Sequence, residues 1–106
     1  IFKEVEKVVK KGDYTLGQEV DLCEKNFAKR TGAKHAISVG NGTDALLLSL
    51  KALEIGAGDE VITVPYTFVA TVGSIVTAGA TPVFVDIKAD YNMDEKKISS
   101  RNNKKD

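Results

Sequence analysis

Val39-Gly40-Asn41-Gly42-Thr43-Asp44-Ala45 is the stretch that decides the fold, because a short apolar run turns there through two glycines into a Leu-rich helical pattern. The first N–H groups of a helix have no partner within the helix, and the helix dipole adds partial positive charge at the same end. An anionic phosphate is favoured at such a turn. The sequence therefore predicts a phosphate-binding turn at 40–43.

Strands and helices alternate around this turn. The pattern predicts, in order, a buried strand at 36–39, a helix at 44–53, a strand at 60–64, a helix from Val69 that stops at Gly79, and a strand at 82–86. The first of these helices is apolar on more than one face, so we expect other layers to cover it. Strands joined by helices need crossover connections, which give a parallel sheet. The fold class is therefore α/β.

Helical and polar segments flank this core. A first amphipathic helix stops at Gly12, a second begins at Glu19 and ends at Thr31-Gly32, and Asp94 is expected to cap a short helix. We therefore expect a single partial domain, with a helical entry segment at 1–32, a βαβαβ core at 33–98 and a polar end at 99–106.

Composition excludes several kinds of partner. Among the 106 residues, 15 basic side chains balance 15 acidic ones, so no net field favours nucleic acid or an anionic membrane. No apolar run approaches the roughly 20 residues that cross a bilayer, and we expect no signal peptide before residue 1. The single cysteine, Cys23, lies on the apolar face of its helix and is expected to be a core residue. We expect a cytoplasmic protein without a metal site.

A dinucleotide is one candidate for the phosphate ligand. Residues 40–45 fit the G-x-G-x-x-G/A fingerprint after a strand. The ribose-binding acid should then lie at the carboxyl end of the second strand, but Asp59 and Glu60 lie at its amino end. Asp44 would also stand close to the pyrophosphate unless its side chain points away. The dinucleotide interpretation is therefore disfavoured.

Pyridoxal 5′-phosphate suits these residues better, because its phosphate needs a helix N-terminus and its ring needs a flat face on which to stack. In parallel sheets, ligands bind beyond the carboxyl ends of the strands. Three segments converge at that edge: the glycine turn at 40–43, the segment at 65–68 with Tyr66 and Phe68, and Asp86. The sequence thus places an aromatic ring beside the phosphate-binding turn.

From about Tyr14 to Ile98, five short blocks occur in order: 14–20, 41–46, 58–62, 65–71 and 79–86. With these blocks the chain resembles the amino-terminal part of the DegT-type (StrS-like) sugar aminotransferases. These are pyridoxal-phosphate enzymes of fold type I that aminate nucleotide-linked keto sugars. The resemblance implies a three-layer α/β/α arrangement around a parallel sheet, as part of the large cofactor-binding domain.

The resemblance also implies roles for individual residues. Gly42 and Thr43 become the phosphate-binding pair, Phe68 the ring that stacks on the cofactor, and Tyr14 a candidate for contact with the sugar nucleotide. Other interpretations remain open for each: Gly42 opening the helix and Thr43 capping it, Phe68 packing in the core, and Tyr14 being an ordinary loop aromatic.

The family's remaining cofactor contacts are expected outside these 106 residues. The resemblance implies a lysine that forms a Schiff base with the cofactor and an aspartate that pairs with its ring nitrogen, and neither motif is found here. No catalytic residue is therefore assigned, and we expect a truncated piece that is inactive alone. In the family's sheet, later strands lie between the strand at 36–39 and the other two.

The function implied is transfer of an amino group, from glutamate, to a nucleotide-linked keto sugar in a homodimer. Three alternatives remain open. A histidine in place of the lysine would make the complete enzyme a sugar dehydratase. A small nucleotide- or phosphate-binding module would have no catalytic activity. A regulatory remnant of an aminotransferase would bind neither cofactor nor sugar nucleotide.

Overall fold

A computed structural model describes the backbone of residues 1–102 and the side chains of residues 1–99. Seven elements follow one another: α1 (Phe2–Lys11), α2 (Gln18–Thr31), α3 (Gly42–Ala52), β1 (Glu60–Thr63), α4 (Val69–Ala78), β2 (Thr81–Phe84) and α5 (Glu95–Asn102). The chain divides into two compact units, Ile1–Ser38 and Val39–Asp106. This division falls six residues after the expected boundary at residue 32, and the last four residues of the expected polar end lie outside the described part.

The first unit contains α1 and α2, and both helices end where the sequence predicts. Gly12 and Gly32 follow them with φ angles of 72° and 73°, a left-handed conformation that a glycine adopts without steric cost. The Gly12 N–H donates to the carbonyl oxygens of Val8 and Val9. The glycine stop signals are therefore confirmed.

The apolar face of α2 is more open than expected. Ala28 is the one buried residue of this helix, whereas Phe27 is 62% exposed. Cys23 is also exposed, so its expected place in the core is wrong. Within residues 1–38, Cys23 and Phe27 border an open cavity together with Ile37 rather than a packed layer. Helical periodicity identified the apolar face correctly but does not specify what covers it.

The strand expected at 36–39 is absent from the described structure, which corrects the βαβαβ core to a βαβ unit preceded by α3. A strand needs a neighbour with which to exchange backbone hydrogen bonds. The N–H of Ser38 instead donates to a carboxylate oxygen of Glu24, at 2.6 Å. This agrees with the resemblance, which implies that this segment is not adjacent to the other two strands.

The second unit is built on the parallel pair β1 and β2. Their register runs from Glu60 opposite Thr81 to Thr63 opposite Phe84, and α4 forms the crossover. Pro82 has no N–H to donate and lies next to the first residue of β2. The α/β class and the parallel sheet are confirmed, with two strands among the described residues.

The core of this unit lies where α4 meets the two strands. Six residues are buried there or beside it: Thr63, Ser74, Ile75, Ala78, Ala80 and Val85. Helix α3 packs along α4, but none of its own residues is buried, so the expected burial of this helix is not found. Helix α3 as a whole has α4 as its main neighbour among the described elements.

Beyond β2 the chain forms a small turn before α5. Ile87 pairs with Met93 in an isolated antiparallel bridge, and the side chain of Asp94 accepts the N–H of Lys96 at 3.2 Å. The expected capping role of Asp94 is confirmed. Among residues 1–102, no helix combines the length and apolar character that a membrane span requires.

Two glycines, one at the C-cap of α4 and one inside the helix, allow a matched test of where α4 ends. Gly79 follows α4 at φ 96°, and a Cβ there would lie 3.4 Å from the Ala57 nitrogen. Gly79→Ala should therefore destabilise the chain, by about 1–2 kcal/mol for the left-handed conformation. Urea unfolding measures this change.

Gly73→Ala is the matched control. Gly73 lies inside α4, is exposed, and has no atom within 4 Å of the position that a Cβ would take. Alanine there should stabilise the chain by about 0.5–1 kcal/mol through reduced backbone entropy. Equal effects of the two substitutions would contradict the assigned helix end.

Candidate functional site

Helix α3 begins at Gly42 and is capped by Asn41. The extended backbone of Asn41 (φ −165°, ψ 175°) lets its side-chain oxygen accept the N–H of Asp44 at 2.9 Å. Its backbone carbonyl accepts the N–H of Ala45 at 3.1 Å. Asn41 is therefore the cap, and the alternative in which Thr43 caps the helix is wrong.

This arrangement leaves two adjacent donors free. Among the described residues, no hydrogen-bond partner is found for the N–H groups of Gly42 and Thr43. Both residues are exposed, and a Cβ on Gly42 would meet nothing within 4 Å. The turn thus combines two free N–H groups, the hydroxyl of Thr43 and the positive end of a helix dipole, which together can hold a phosphate.

Phe68 lies at the other predicted contact point and is the N-cap residue of α4. Its side chain is 74% exposed, so it is not packed in the core of this unit. Its carbonyl accepts the N–H of Thr71 at 3.0 Å, and a hydrogen bond of 2.8 Å joins the Thr67 and Thr71 hydroxyl groups. The local backbone is therefore fixed while the ring stays accessible.

The second aromatic of this segment, Tyr66, has a different environment. Its ring lies 5.5 Å from that of Tyr91, centroid to centroid, at an interplanar angle of 33°. No such ring contact is found for Phe68 within the described residues. The structure thus gives the two aromatics different surroundings, because Tyr91, in the turn after β2, contacts the ring of Tyr66.

The glycine turn and Phe68 lie at the same end of the second unit. Lys51, near the end of α3, donates from Nζ to the carbonyl oxygen of Ala78, the last residue of α4, at 3.2 Å. Near their starts, Leu46 in the second turn of α3 and Thr71 in the first turn of α4 line one cavity together with Thr63, at the carboxyl end of β1. Because α4 begins beyond the carboxyl end of β1, this is the edge where ligands of parallel sheets bind.

Tyr14 belongs to the first unit, whereas the other three predicted site residues belong to the second. Its ring is 68% exposed, and its hydroxyl donates to the carbonyl oxygen of Val9 at 2.9 Å. This bond ties the loop after α1 to the helix. The exposed ring face remains available for a ligand.

Asp86, at the carboxyl edge beyond β2, forms local contacts. One carboxylate oxygen accepts the N–H of Ile87 at 2.9 Å, and the other lies 3.4 Å from Nζ of Lys97. The bonded N–H of Ile87, followed by the Lys97 ammonium, lowers the pKa of Asp86 below its usual value. Asp86 therefore remains ionised at neutral pH.

The role of Asp44 was not predicted from the sequence. Its Oδ2 accepts a hydrogen bond of 2.9 Å from Nδ2 of Asn41, so the carboxylate is held by the cap residue. Asn at the cap position and an acidic residue three positions later is a recognised helix-start pattern, and this spacing was the available signal. No cluster of three or more potential metal-ligating side chains occurs in the described part of the chain.

The model of the DegT/DnrJ/EryC1/StrS aminotransferase family matches residues 1–105 of the chain. The UDP-2-acetamido-2-deoxy-3-oxo-D-glucuronate aminotransferase of Pseudomonas aeruginosa is 47% identical over 85% of the chain and 25% of its own length. The dTDP-3-amino-3,6-dideoxy-alpha-D-galactopyranose transaminase of Aneurinibacillus thermoaerophilus is 48% identical over 90% of the chain and 28% of its own length.

Two solved structures to which the chain is similar are also aminotransferases. An aminotransferase from Psychrobacter cryohalolentis superposes with a TM-score of 0.85 at 45% identity, over 91% of this chain and 25% of that one. The PLP form of Spr1654 from Streptococcus pneumoniae gives a TM-score of 0.87 at 35% identity, over 93% and 26%. The chain spans about a quarter of the length of the curated relatives that it matches.

Asp86→Asn tests the electrostatics at this edge. The substitution removes the charge that faces Lys97, so it should lower the urea midpoint at pH 7. Because the folded-state pKa of Asp86 is lowered, this contribution is present above the unfolded value of about 3.9 and is lost as pH falls through the folded value. The deficit should therefore shrink by pH 3. An equal deficit at pH 3 and pH 7 would show that the charge is not its cause.

Proposed function

Because the chain belongs to the DegT/DnrJ/EryC1/StrS aminotransferase family, we propose that it is the amino-terminal part of a pyridoxal-phosphate-dependent nucleotide-sugar aminotransferase. The complete enzyme transfers an amino group from glutamate to a nucleotide-linked keto sugar. The family match over residues 1–105 is the observation that carries this proposal. The names of the two relatives, with UDP- and dTDP-linked sugars, support the substrate class.

The residues present fit the cofactor. Gly42 and Thr43 offer two free N–H groups at a helix start, which match the oxygens of a phosphate monoester. The absence of a Cβ on Gly42 keeps open the space that the phosphate would fill. Phe68 offers an exposed ring at the same end of the unit, and an aromatic face suits a pyridine ring.

Each residue then has a definite task. When bound, pyridoxal phosphate supplies an electron sink for the carbon that loses its proton. The Gly42 and Thr43 N–H groups bind and orient the phosphate, and the Thr43 hydroxyl adds a donor. The Phe68 ring covers one face of the pyridine and excludes water from it. The groups that move protons are assigned to parts of the complete enzyme outside these 106 residues.

Tyr14 is proposed as a contact for the sugar nucleotide. Its hydroxyl is held by Val9, which leaves the face of the ring for stacking on a sugar or base. We assign both compact units to one large cofactor-binding domain. The complete enzyme is proposed to be cytoplasmic and to form a homodimer, and light scattering of the purified protein would test the dimer.

Phe68→Ala in the full-length enzyme should weaken binding of pyridoxal phosphate roughly tenfold, because the stacking face is lost. The change is measured by cofactor titration and by the absorption spectrum of the bound form. Val69→Ala is the matched control, since Val69 is adjacent and also 74% exposed. Unchanged affinity and spectrum in Phe68→Ala would contradict the stacking role.

The proposed reaction has its own test. Full-length enzyme loaded with cofactor should convert glutamate to 2-oxoglutarate and then aminate a UDP- or dTDP-linked keto sugar. Residues 1–106 alone should show no turnover, because the lysine that the family uses is expected beyond them. Turnover by the 106-residue chain would contradict this division of the active site. Loss of the sugar's oxygen without gain of nitrogen would instead identify a dehydratase.

A further inference from the structure

Asn41 and Asp44 form a reciprocal pair at the start of α3. Asn41 Oδ1 accepts the Asp44 N–H, and Asn41 Nδ2 donates to Asp44 Oδ2, with both distances 2.9 Å. The Asp44 N–H is thereby the donor of the first turn that is satisfied by a side chain, whereas the two preceding donors remain free. The pair therefore determines which donors of the helix start are left for a ligand.

The acceptor and donor character of the two Asp44 groups also determines how the Asn41 amide is oriented. An ionised carboxylate only accepts hydrogen bonds and a backbone N–H only donates them. Both bonds form together only when Asn41 Nδ2 faces the carboxylate and Oδ1 faces the N–H. Asp44 thus fixes the orientation of the amide that caps its own helix.

The Asp44 carboxylate is turned to one side of the glycine turn. A Cβ on Gly40 would lie 3.1 Å from Asp44 Oδ2, whereas a Cβ on Gly42 would meet nothing within 4 Å. The negative charge therefore lies beside Gly40, and the space beside Gly42 stays open. An unrestrained carboxylate in the first turn would be close enough to repel a phosphate there.

We propose that Asn41 and Asp44 are positioning residues for the phosphate of the cofactor, an inference that rests on the proposed function. Asn41 takes up the Asp44 N–H and holds the Asp44 carboxylate beside Gly40. The N–H groups of Gly42 and Thr43 then face a site without a competing anion. Neither positioning residue touches the phosphate itself.

The test compares pyridoxal phosphate with pyridoxal, which lacks the phosphate, in the full-length enzyme. Asn41→Ala should lower the affinity for pyridoxal phosphate by on the order of tenfold, given the usual cost of a lost N-cap. The affinity for pyridoxal should stay unchanged. Asp44→Asn keeps an acceptor for Nδ2 without the charge, so its affinity for pyridoxal phosphate should equal or exceed that of the wild type. Equilibrium dialysis gives both affinities.

Two further variants separate positioning from simple loss of structure. Asn41→Gly keeps the helix start nearly as stable but has no side chain that can donate to Asp44, so it should still weaken the binding of pyridoxal phosphate selectively. Adding Asp44→Asn to Asn41→Ala should restore part of the affinity, because the unrestrained charge is removed. A fall in the affinities for both ligands alike, or no recovery in the double variant, would overturn the positioning role.

The outcome also distinguishes this inference from the proposed function. A wild-type enzyme with no preference for pyridoxal phosphate over pyridoxal would overturn the phosphate site itself. A wild-type preference that survives in both Asn41→Gly and Asn41→Ala would overturn the positioning role alone. Selective loss in these two variants with normal affinity in Asp44→Asn supports it.

Discussion

Parallel pairing of β1 with β2 is the constraint on which the second unit depends. Two parallel strands cannot be joined by a tight turn, so a crossover must carry the chain back along the sheet. Helix α4 is that crossover, and its buried Ser74, Ile75 and Ala78 form the contact with the layer beneath. The crossover necessarily begins at the carboxyl edge of the sheet, which is why Phe68 lies there.

The site follows from this constraint together with one helix-to-helix contact. The bond from Lys51 to the Ala78 carbonyl joins the far ends of α3 and α4, and near their starts Leu46 and Thr71 line one cavity with Thr63 at the carboxyl end of β1. The start of α3 provides main-chain N–H donors, and the start of α4 provides the ring of Phe68. In the proposed enzyme this edge therefore binds and orients the cofactor, while the chemistry is assigned to residues beyond this chain.

Local features of the fold were predictable from the sequence, whereas long-range pairing was not. Gly12, Gly32 and Gly79 end their helices with positive φ angles, a requirement that glycine reveals at the position itself. The strand expected at 36–39 depends on a neighbour, which an apolar run does not specify. The prediction that Cys23 lies in the core was wrong for the same reason, because helical periodicity identifies the apolar face of a helix but not the element that covers it.

The same distinction applies to the site. The helix start at Gly42 could be predicted because a glycine turn and a Leu-rich pattern are adjacent in the chain. The ring contact that distinguishes the surroundings of Tyr66 from those of Phe68 could not be predicted, because it is made by Tyr91 in a distant turn. Asn41 and Asp44 lie between these extremes: their spacing was visible, but the direction of the Asn41 amide depends on three-dimensional contacts.

The proposed recognition of a phosphate by main-chain groups has an evolutionary consequence for the start of α3. The donors of Gly42 and Thr43 are peptide N–H groups, which every residue except proline supplies. Substitution by any residue other than proline therefore keeps the donors and changes only the space around them. Side-chain changes at Gly42 and Thr43 could therefore alter how tightly an anion fits, while the peptide N–H groups continue to bind its negative charge.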